Sequence, residues 1–229
     1  MSIWVRSLIG TVGMVCPAIL LSLSLAACSE ADDDFVTPED GHGGSEYDDS
    51  ANMLRDTRDG QKYKTVQIGN QVWMAENLNY DMEGSVCREF EVFTMYGCFY
   101  DWDAAMKACP RGWRLPSEDD WTTLVDFVGG TKVAGGKLKA TTAWDEKGNY
   151  SAGTDDYGFT ALPGGVALDR SETRGEGRLS IINSGAFFWS SAEIDDDEAY
   201  TLNIRYENDT TGWFENRKNT LINVRCIKD

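Results

Sequence analysis

Four cysteines, Cys87, Cys98, Cys109 and Cys226, have the side chains whose chemistry is easiest to infer from this sequence. In an exported domain an even number of thiols oxidises to disulfides, whereas four thiolates inside a cell can bind zinc. No two of them are separated by only two residues, the spacing typical of zinc knuckles, so we favour two disulfides. Three pairings are open to four cysteines. We favour Cys87 with Cys98, which closes a short loop, and Cys109 with Cys226, which closes a loop of roughly a hundred residues.

The general base that most hydrolytic sites use is missing from the second part of the chain. The only histidine, His42, precedes all four of these cysteines, in an acidic and glycine-rich segment. Paired carboxylates could hydrolyse a glycosidic bond, so a glycan-active enzyme is an alternative. The acidic runs at Asp155 and Asp156 and at residues 195–198 offer oxygen ligands of the kind that calcium binds. We interpret both runs as solvated loops and expect no cofactor, with calcium as the alternative.

The overall charge argues against one class of partner. The chain carries 38 acidic and 21 basic side chains, a formal net charge of -17. Proteins bind nucleic acids largely through Lys and Arg side chains that neutralise phosphates. We therefore expect no nucleic-acid partner.

The N-terminal residues have the order of a secretory signal. Arg6 supplies one positive charge, an apolar stretch covers residues 8–25, and two alanines lead to Cys28. Acidic residues follow instead of a basic stop, so we expect a removable signal over residues 1–27 and not a membrane-spanning helix. Small residues before a cysteine resemble the lipobox of bacterial lipoproteins, in which the thiol is joined to diacylglycerol. Lipid on Cys28 would anchor the chain to a membrane, because acyl chains contribute about 0.8 kcal/mol per buried CH₂. An ordinary thiol beside a generic cleavage site is the alternative.

An acidic segment follows the predicted signal. Residues 30–49 hold nine acidic and no basic side chains. Such a segment buries too little apolar area to offset its ordering entropy, so we expect a flexible tether over residues 28–52 and one globular domain over residues 53–229. Acidic residues directly after the cysteine also resemble the surface-export signal of Bacteroidetes lipoproteins. We therefore expect a place in the outer membrane or at the cell surface, with a plain soluble spacer as the alternative.

The globular part begins with the pattern of a β-hairpin. Residues 62–68 and 71–74 read as two strands, and Gly69 and Asn70 between them favour a two-residue turn. A helix that Pro110 ends should follow, since apolar residues then recur at helical spacing. Its predicted inner face consists of Trp102, Ala105, Met106 and Cys109.

A second helix should begin at Ser117, whose hydroxyl can cap it with Asp120 three residues on. Gly129 and Gly130 then stop the helix. Its predicted inner face consists of Trp121, Leu124, Val125 and Val128.

Beyond residue 131 the pattern changes to turns and short apolar runs, which predicts loops and short strands. Residues 188–191 should form a core strand. Strict alternation predicts two half-buried strands, one with Tyr200, Leu202, Ile204 and Tyr206 inside and Thr201, Asn203 and Arg205 outside, the other with Ile222, Val224 and Cys226 inside. Together these elements predict an α+β domain.

Six segments carry a family resemblance, in the order 59–66 (DGQKYKTV), 73–80 (WMAENLNY), 109–117 (CPRGWRLPS), 158–165 (GFTALPGG), 188–191 (FWSS) and 224–229 (VRCIKD). They resemble the Fibrobacter succinogenes major paralogous domain family, from about Asp56 to the C-terminus. Trp102, Ala105, Cys109, residues 114–118 and Trp121 also resemble the formylglycine-generating-enzyme branch of the C-type lectin fold.

The second resemblance implies a C-type lectin-like architecture. It implies a long disulfide from a helix to the last strand, which Cys109 and Cys226 match. The copper-binding cysteine pair of the formylglycine-generating enzymes does not carry over, because the cysteines here are assigned to disulfides. We interpret Arg114 as held in a fixed hydrogen bond at the start of a helix, with Leu115 in the core.

These observations favour a non-catalytic recognition module that binds a polysaccharide or a surface protein. There are two alternatives from other functional classes. One is a structural subunit of an envelope or surface appendage, and the other is the glycan-active enzyme. In C-type lectin folds the late loops and neighbouring strands make the ligand face. The residues predicted to bind the ligand are Asn203, Arg205, Tyr206, Trp213, Phe214 and Arg217, which interleave aromatic and hydrogen-bonding side chains.

Overall fold

A computed structural model describes residues 44–87, 93–144, 152–167 and 185–229 of the chain. The predicted signal peptide, the lipidation site Cys28 and most of the predicted tether lie outside these residues. Among the described residues, no helix is long and apolar enough to cross a membrane.

The described part of the chain is rich in strands and contains four short helices. The strands are β1 (Ser45–Asp48), β2 (Met53–Asp56), β3 (Lys62–Ile68), β4 (Gln71–Met74), β5 (Ser85–Val86), β6 (Phe99–Tyr100), β7 (Trp113–Arg114), β8 (Gly185–Glu193), β9 (Glu198–Arg205), β10 (Thr211–Arg217), β11 (Ile222–Asn223) and β12 (Ile227–Lys228). The helices are α1 (Phe93–Tyr96), α2 (Trp102–Ala108), α3 (Glu118–Phe127) and α4 (Ala134–Leu138). This mixture of largely antiparallel sheet and a few helices is α+β.

One sheet has the strand order β1-β2-β3-β4-β12-β7. Its centre is the predicted hairpin, in which Ile68 pairs with Gln71 across the turn at Gly69 and Asn70. β1 lies inside residues 28–52, which we expected to form a tether. Ser45 pairs with Asp56 and Asp48 with Met53, so ordered structure begins before residue 53. The strand forms because β2 offers it a free edge.

The other sheet has the order β10-β9-β8-β11-β6-β5. β8, β9 and β10 are the longest strands of this sheet and form an antiparallel meander. The predicted core strand at residues 188–191 is confirmed within β8, where Phe188 and Trp189 are fully buried. Contact between β8 and β11 is parallel, at Phe188 and Asn223.

The C-terminal strand differs from its prediction. We expected one half-buried strand with Ile222, Val224 and Cys226 inside. The structure instead has β11 in one sheet and β12 in the other, joined by a segment without strand pairing. Asn223 and Arg225 are also buried, because this segment runs between the two sheets and has core on both sides.

The two longest helices agree with the sequence. Asp101 caps α2 by accepting from the backbone of Ala104, and Ser117 and Asp120 form a capping box at the start of α3. The apolar residues that we predicted on the inner face of α3 are all buried. Met106 of α2 is an exception to the prediction, since it is 44% exposed. The face of α2 that contacts the core is formed by Trp102, Ala104, Ala105 and Ala108 instead.

Two disulfides confirm the favoured pairing. Cys87 is joined to Cys98, and Cys109 is joined to Cys226. The second bond connects the C-terminal end of α2 to the segment before β12, across 117 residues of sequence. It therefore fastens the last segment of the chain to the first of the two main helices.

Candidate functional site

The residues predicted to bind a ligand do not form one surface. Among the described strands, β10 pairs with β9 alone, and paired residues share a face of the sheet. Trp213 pairs with Leu202, and Phe214 pairs with Thr201. The face of Leu202 carries Trp213 and Arg217, whereas the opposite face carries Asn203, Arg205 and Phe214.

Three side chains on or beside β9 are buried, which corrects the expectation for two of them. Thr201 and Asn203 are 0% and 2% exposed, although alternation predicted that both would be solvent-facing. Tyr206 is also buried and packs on Trp144, with 5.9 Å between ring centroids. The reason is that core clusters lie on both faces of β9, one containing Leu202 and the other containing Ala199. Alternation identifies the two faces but cannot tell that both are covered.

The buried polar groups of β9 have structural partners. The Asn203 amide donates to the carbonyl oxygen of Ala186 at 3.4 Å. The Thr201 hydroxyl donates to the Phe214 carbonyl at 3.2 Å and accepts from the Asn216 amide at 2.9 Å. These side chains hold the meander together and are not available to an incoming ligand.

An exposed aromatic and cationic pair remains, which we call the β10 surface and define as Arg205 and Phe214. The Arg205 guanidinium lies 5.2 Å from the centroid of the Phe214 ring, which is 37% exposed. Phe187 supports that ring edge-on, with 6.3 Å between centroids. On the other face, Trp213 is half-buried and lies edge-on to Tyr200 at 6.2 Å.

Arg217 lines a different feature, a large open cleft beside the start of α2. The cleft has a volume of about 680 Å³ and carries six acidic side chains together with Arg217 and Lys218. Lys218 donates to the Glu193 carboxylate at 2.9 Å and to the Asp195 carbonyl at 2.7 Å. Its hydrogen bond to Glu193 raises the pKa of Lys218. The acidic side chains make the lining of this cleft strongly polar.

The two acidic runs considered for calcium serve local backbone structure. The Asp195 carboxylate accepts from the backbone of Asp197 and of Glu198, each at 2.9 Å. The Asp155 carboxylate accepts from the backbone and the hydroxyl of Thr160, each at 2.8 Å. Within the described ranges, no three His, Cys, Asp or Glu side chains are arranged to hold a metal ion.

Arg114 is held in a hydrogen bond at the start of a helix, as the sequence predicted. Its guanidinium forms two hydrogen bonds with the Asp120 carboxylate, one of them at 2.9 Å. Burial acts to raise the pKa of Asp120, but hydrogen bonds from Arg114 and Ser117 outweigh it and lower that pKa to about 2. Leu115 is buried, as predicted. This arrangement fixes the beginning of α3.

Arg225 is the principal residue that the sequence interpretation missed. Its fully buried guanidinium donates to Asn77 Oδ1 at 2.8 and 3.0 Å and to the carbonyls of Met74, Phe159 and Thr160. It also lies 4.6 Å from the centroid of Phe159. Burial lowers the pKa of Arg225 to about 9, so the side chain is still charged at neutral pH. A lone arginine beside a buried cysteine gave no sequence signal of this role, which is to join three loops at the centre of the domain.

The two sheets, the capped helices and the long disulfide define a disulfide-bonded α+β domain. The chain belongs to the Fibrobacter succinogenes major domain family, whose model matches residues 66–228. This match confirms the family resemblance that the sequence motifs indicated. Comparison with curated proteins found no match, and comparison with solved structures found none either.

Proposed function

We propose that this chain is a non-catalytic recognition module that binds a polysaccharide at a cell surface through the β10 surface. The observation that carries the proposal is the exposed Phe214 ring with the Arg205 guanidinium beside it. Sugar rings stack on exposed aromatic faces, and arginine donates to hydroxyl and carboxylate groups.

Substitution of the pair tests this proposal. Arg205→Ala and Phe214→Ala should each weaken polysaccharide binding by about 1 kcal/mol or more, which is roughly a fivefold loss of affinity, while the melting temperature changes little. Arg111→Ala and Phe127→Ala are matched controls, because both residues are exposed elsewhere in the domain. Binding can be measured by affinity electrophoresis against a panel of polysaccharides. Full affinity in both variants, binding of protein ligands alone, or concentration-dependent self-association without glycan binding would each contradict the proposal.

We also propose that the fold is C-type lectin-like. Two amphipathic helices, a disulfide from the end of α2 to the last segment, and a loop region at residues 152–167 support this assignment. An experimental structure superposed on C-type lectin domains would test it. A different order of the strands around the long disulfide would refute it.

The anchor is a further part of the proposed function. We infer that the signal is cut before Cys28 and that lipid on this cysteine holds the module on the outer membrane, because the residues before it resemble a lipobox. Cys28→Ala should abolish incorporation of labelled palmitate, since the modification needs a thiol there. Continued labelling of that variant would disprove the assignment.

A further inference from the structure

A second, smaller cleft lies between segments that the sequence motifs singled out. It has a volume of about 250 Å³ and is bordered by residues 61–63, by residues 75–79, by Met95 and Gly97, and by Thr160 and Leu162. None of these residues belongs to the β10 surface. The volume is below the range of pockets for drug-sized ligands, so the cleft suits one small unit.

Fixed amide groups provide hydrogen-bonding capacity on one side of this cleft. The side-chain amide of Asn79 donates to Gln61 Oε1 at 3.0 Å. Gln61 Nε2 in turn donates to the backbone carbonyl of Asn79 and to the Asp59 carboxylate, the latter at 2.8 Å. The Asn79 backbone also donates to the Tyr63 hydroxyl at 3.2 Å. These bonds orient the amides before any ligand arrives, which lowers the entropy cost of binding.

The charges at the cleft are balanced. Among the described residues that border the cleft, Lys62 and Glu76 carry the charged side chains, and both are exposed. The Glu76 carboxylate accepts from the backbone of Lys64 at 2.7 Å, which fixes its position. One positive and one negative group together favour a neutral ligand with many hydroxyls over a strongly charged one.

An apolar wall completes the cleft. Met95 is 56% exposed, and Leu162 is half-buried. The loop that carries Met95 is closed by the disulfide between Cys87 and Cys98. At Gly97 this loop passes so close to the chain that an added Cβ would meet the Leu78 carbonyl oxygen at 2.8 Å. The apolar wall is therefore held against the polar one by a covalent bond and by tight backbone contact.

We propose that this cleft is a binding site for a single neutral sugar unit. The sugar hydroxyls would donate to Gln61 Oε1, whose amide nitrogen already has two acceptors, and would bind to the Asn79 amide, Lys62 and Glu76. The C–H face of the ring would lie on Met95. The site is separate from the β10 surface, so either proposal can be refuted without refuting the other.

The test is a titration of the full-length protein with glucose, galactose, mannose, xylose and N-acetylglucosamine, one at a time. Binding is followed by the NMR signals of the Gln61 and Asn79 side-chain amides. At least one sugar should shift both signals saturably, and Met95→Ala and Lys62→Ala should each weaken its affinity at least fivefold. Met106→Ala and Lys107→Ala serve as matched controls, because they are an exposed methionine and an exposed lysine outside the cleft.

One further measurement separates this site from the β10 surface. The double variant Arg205→Ala/Phe214→Ala should bind the monosaccharide with unchanged affinity. No saturable shift with any of the five sugars would overturn the proposal, and so would shifts that disappear in this double variant. Equal losses in Met95→Ala and in Met106→Ala would also overturn it, since the effect would then not be local.

Discussion

The two disulfides should contribute unequally to stability, and the structure allows the difference to be worked out. In the chain-entropy model a disulfide destabilises the unfolded chain by an amount that grows with the logarithm of the loop it closes. The bond between Cys109 and Cys226 spans 117 residues, which corresponds to about 4.9 kcal/mol at 25 °C. The bond between Cys87 and Cys98 spans 11 residues, which corresponds to about 2.8 kcal/mol.

Two double variants, Cys109→Ala/Cys226→Ala and Cys87→Ala/Cys98→Ala, test this calculation. Urea unfolding followed by tryptophan fluorescence should show the larger loss of unfolding free energy, by about 2 kcal/mol, in the first variant. Its m-value should also rise more, because its unfolded chain is released from the larger loop. Wild-type protein in the same urea series is the reference. An equal loss in both variants, or a larger loss in the second, would refute the reasoning.

Two further predictions concern α3 and the loop after α1. Asp120 has a folded pKa of about 2, below its ordinary value, so its stabilising contribution is present above the unfolded pKa and is lost as the pH falls from about 4 to 2. After a discount for the half-exposed Arg114, the free energy of unfolding should fall by about 1 to 2 kcal/mol between pH 5 and 2. This fall should be absent in Asp120→Asn and retained in Asp119→Asn. An identical pH profile in both variants would contradict the prediction. Gly97→Ala should lower the melting temperature more than Gly112→Ala, because both glycines have positive φ but only the Cβ at Gly97 meets backbone atoms within 3 Å. Equal shifts in calorimetry would show that the close contact costs nothing.

Local chemistry explains which elements the sequence predicted well. The start of α3 depends on Ser117 and Asp120, which lie three residues apart and make the capping box without help from distant segments. The hairpin of β3 and β4 depends likewise on the two turn residues between the strands. The favoured cysteine pairing rested on loop lengths and an exported setting, and both bonds are present.

The predictions that failed depended on what packs against an element. Thr201 and Asn203 alternate with apolar residues, yet they are buried because a second core cluster covers their face of β9. Met106 has helical spacing from Trp102 but lies at the solvent edge of the α2 contact. The cleft beside Gln61 is bordered by four separate segments, so no single stretch of sequence could predict it.

Sheet order also constrains when the domain can fold. β12, which includes residue 227, is an inner strand of its sheet, although its neighbours β4 and β7 end at residues 74 and 114. The edges of β4 and β7 that pair with β12 therefore stay open until residues 227 and 228 have been synthesised. Contacts between residues so distant in sequence also make folding slow. Strand edges that stay open during synthesis can pair with other chains, so the unfinished domain is prone to aggregation until β12 is in place.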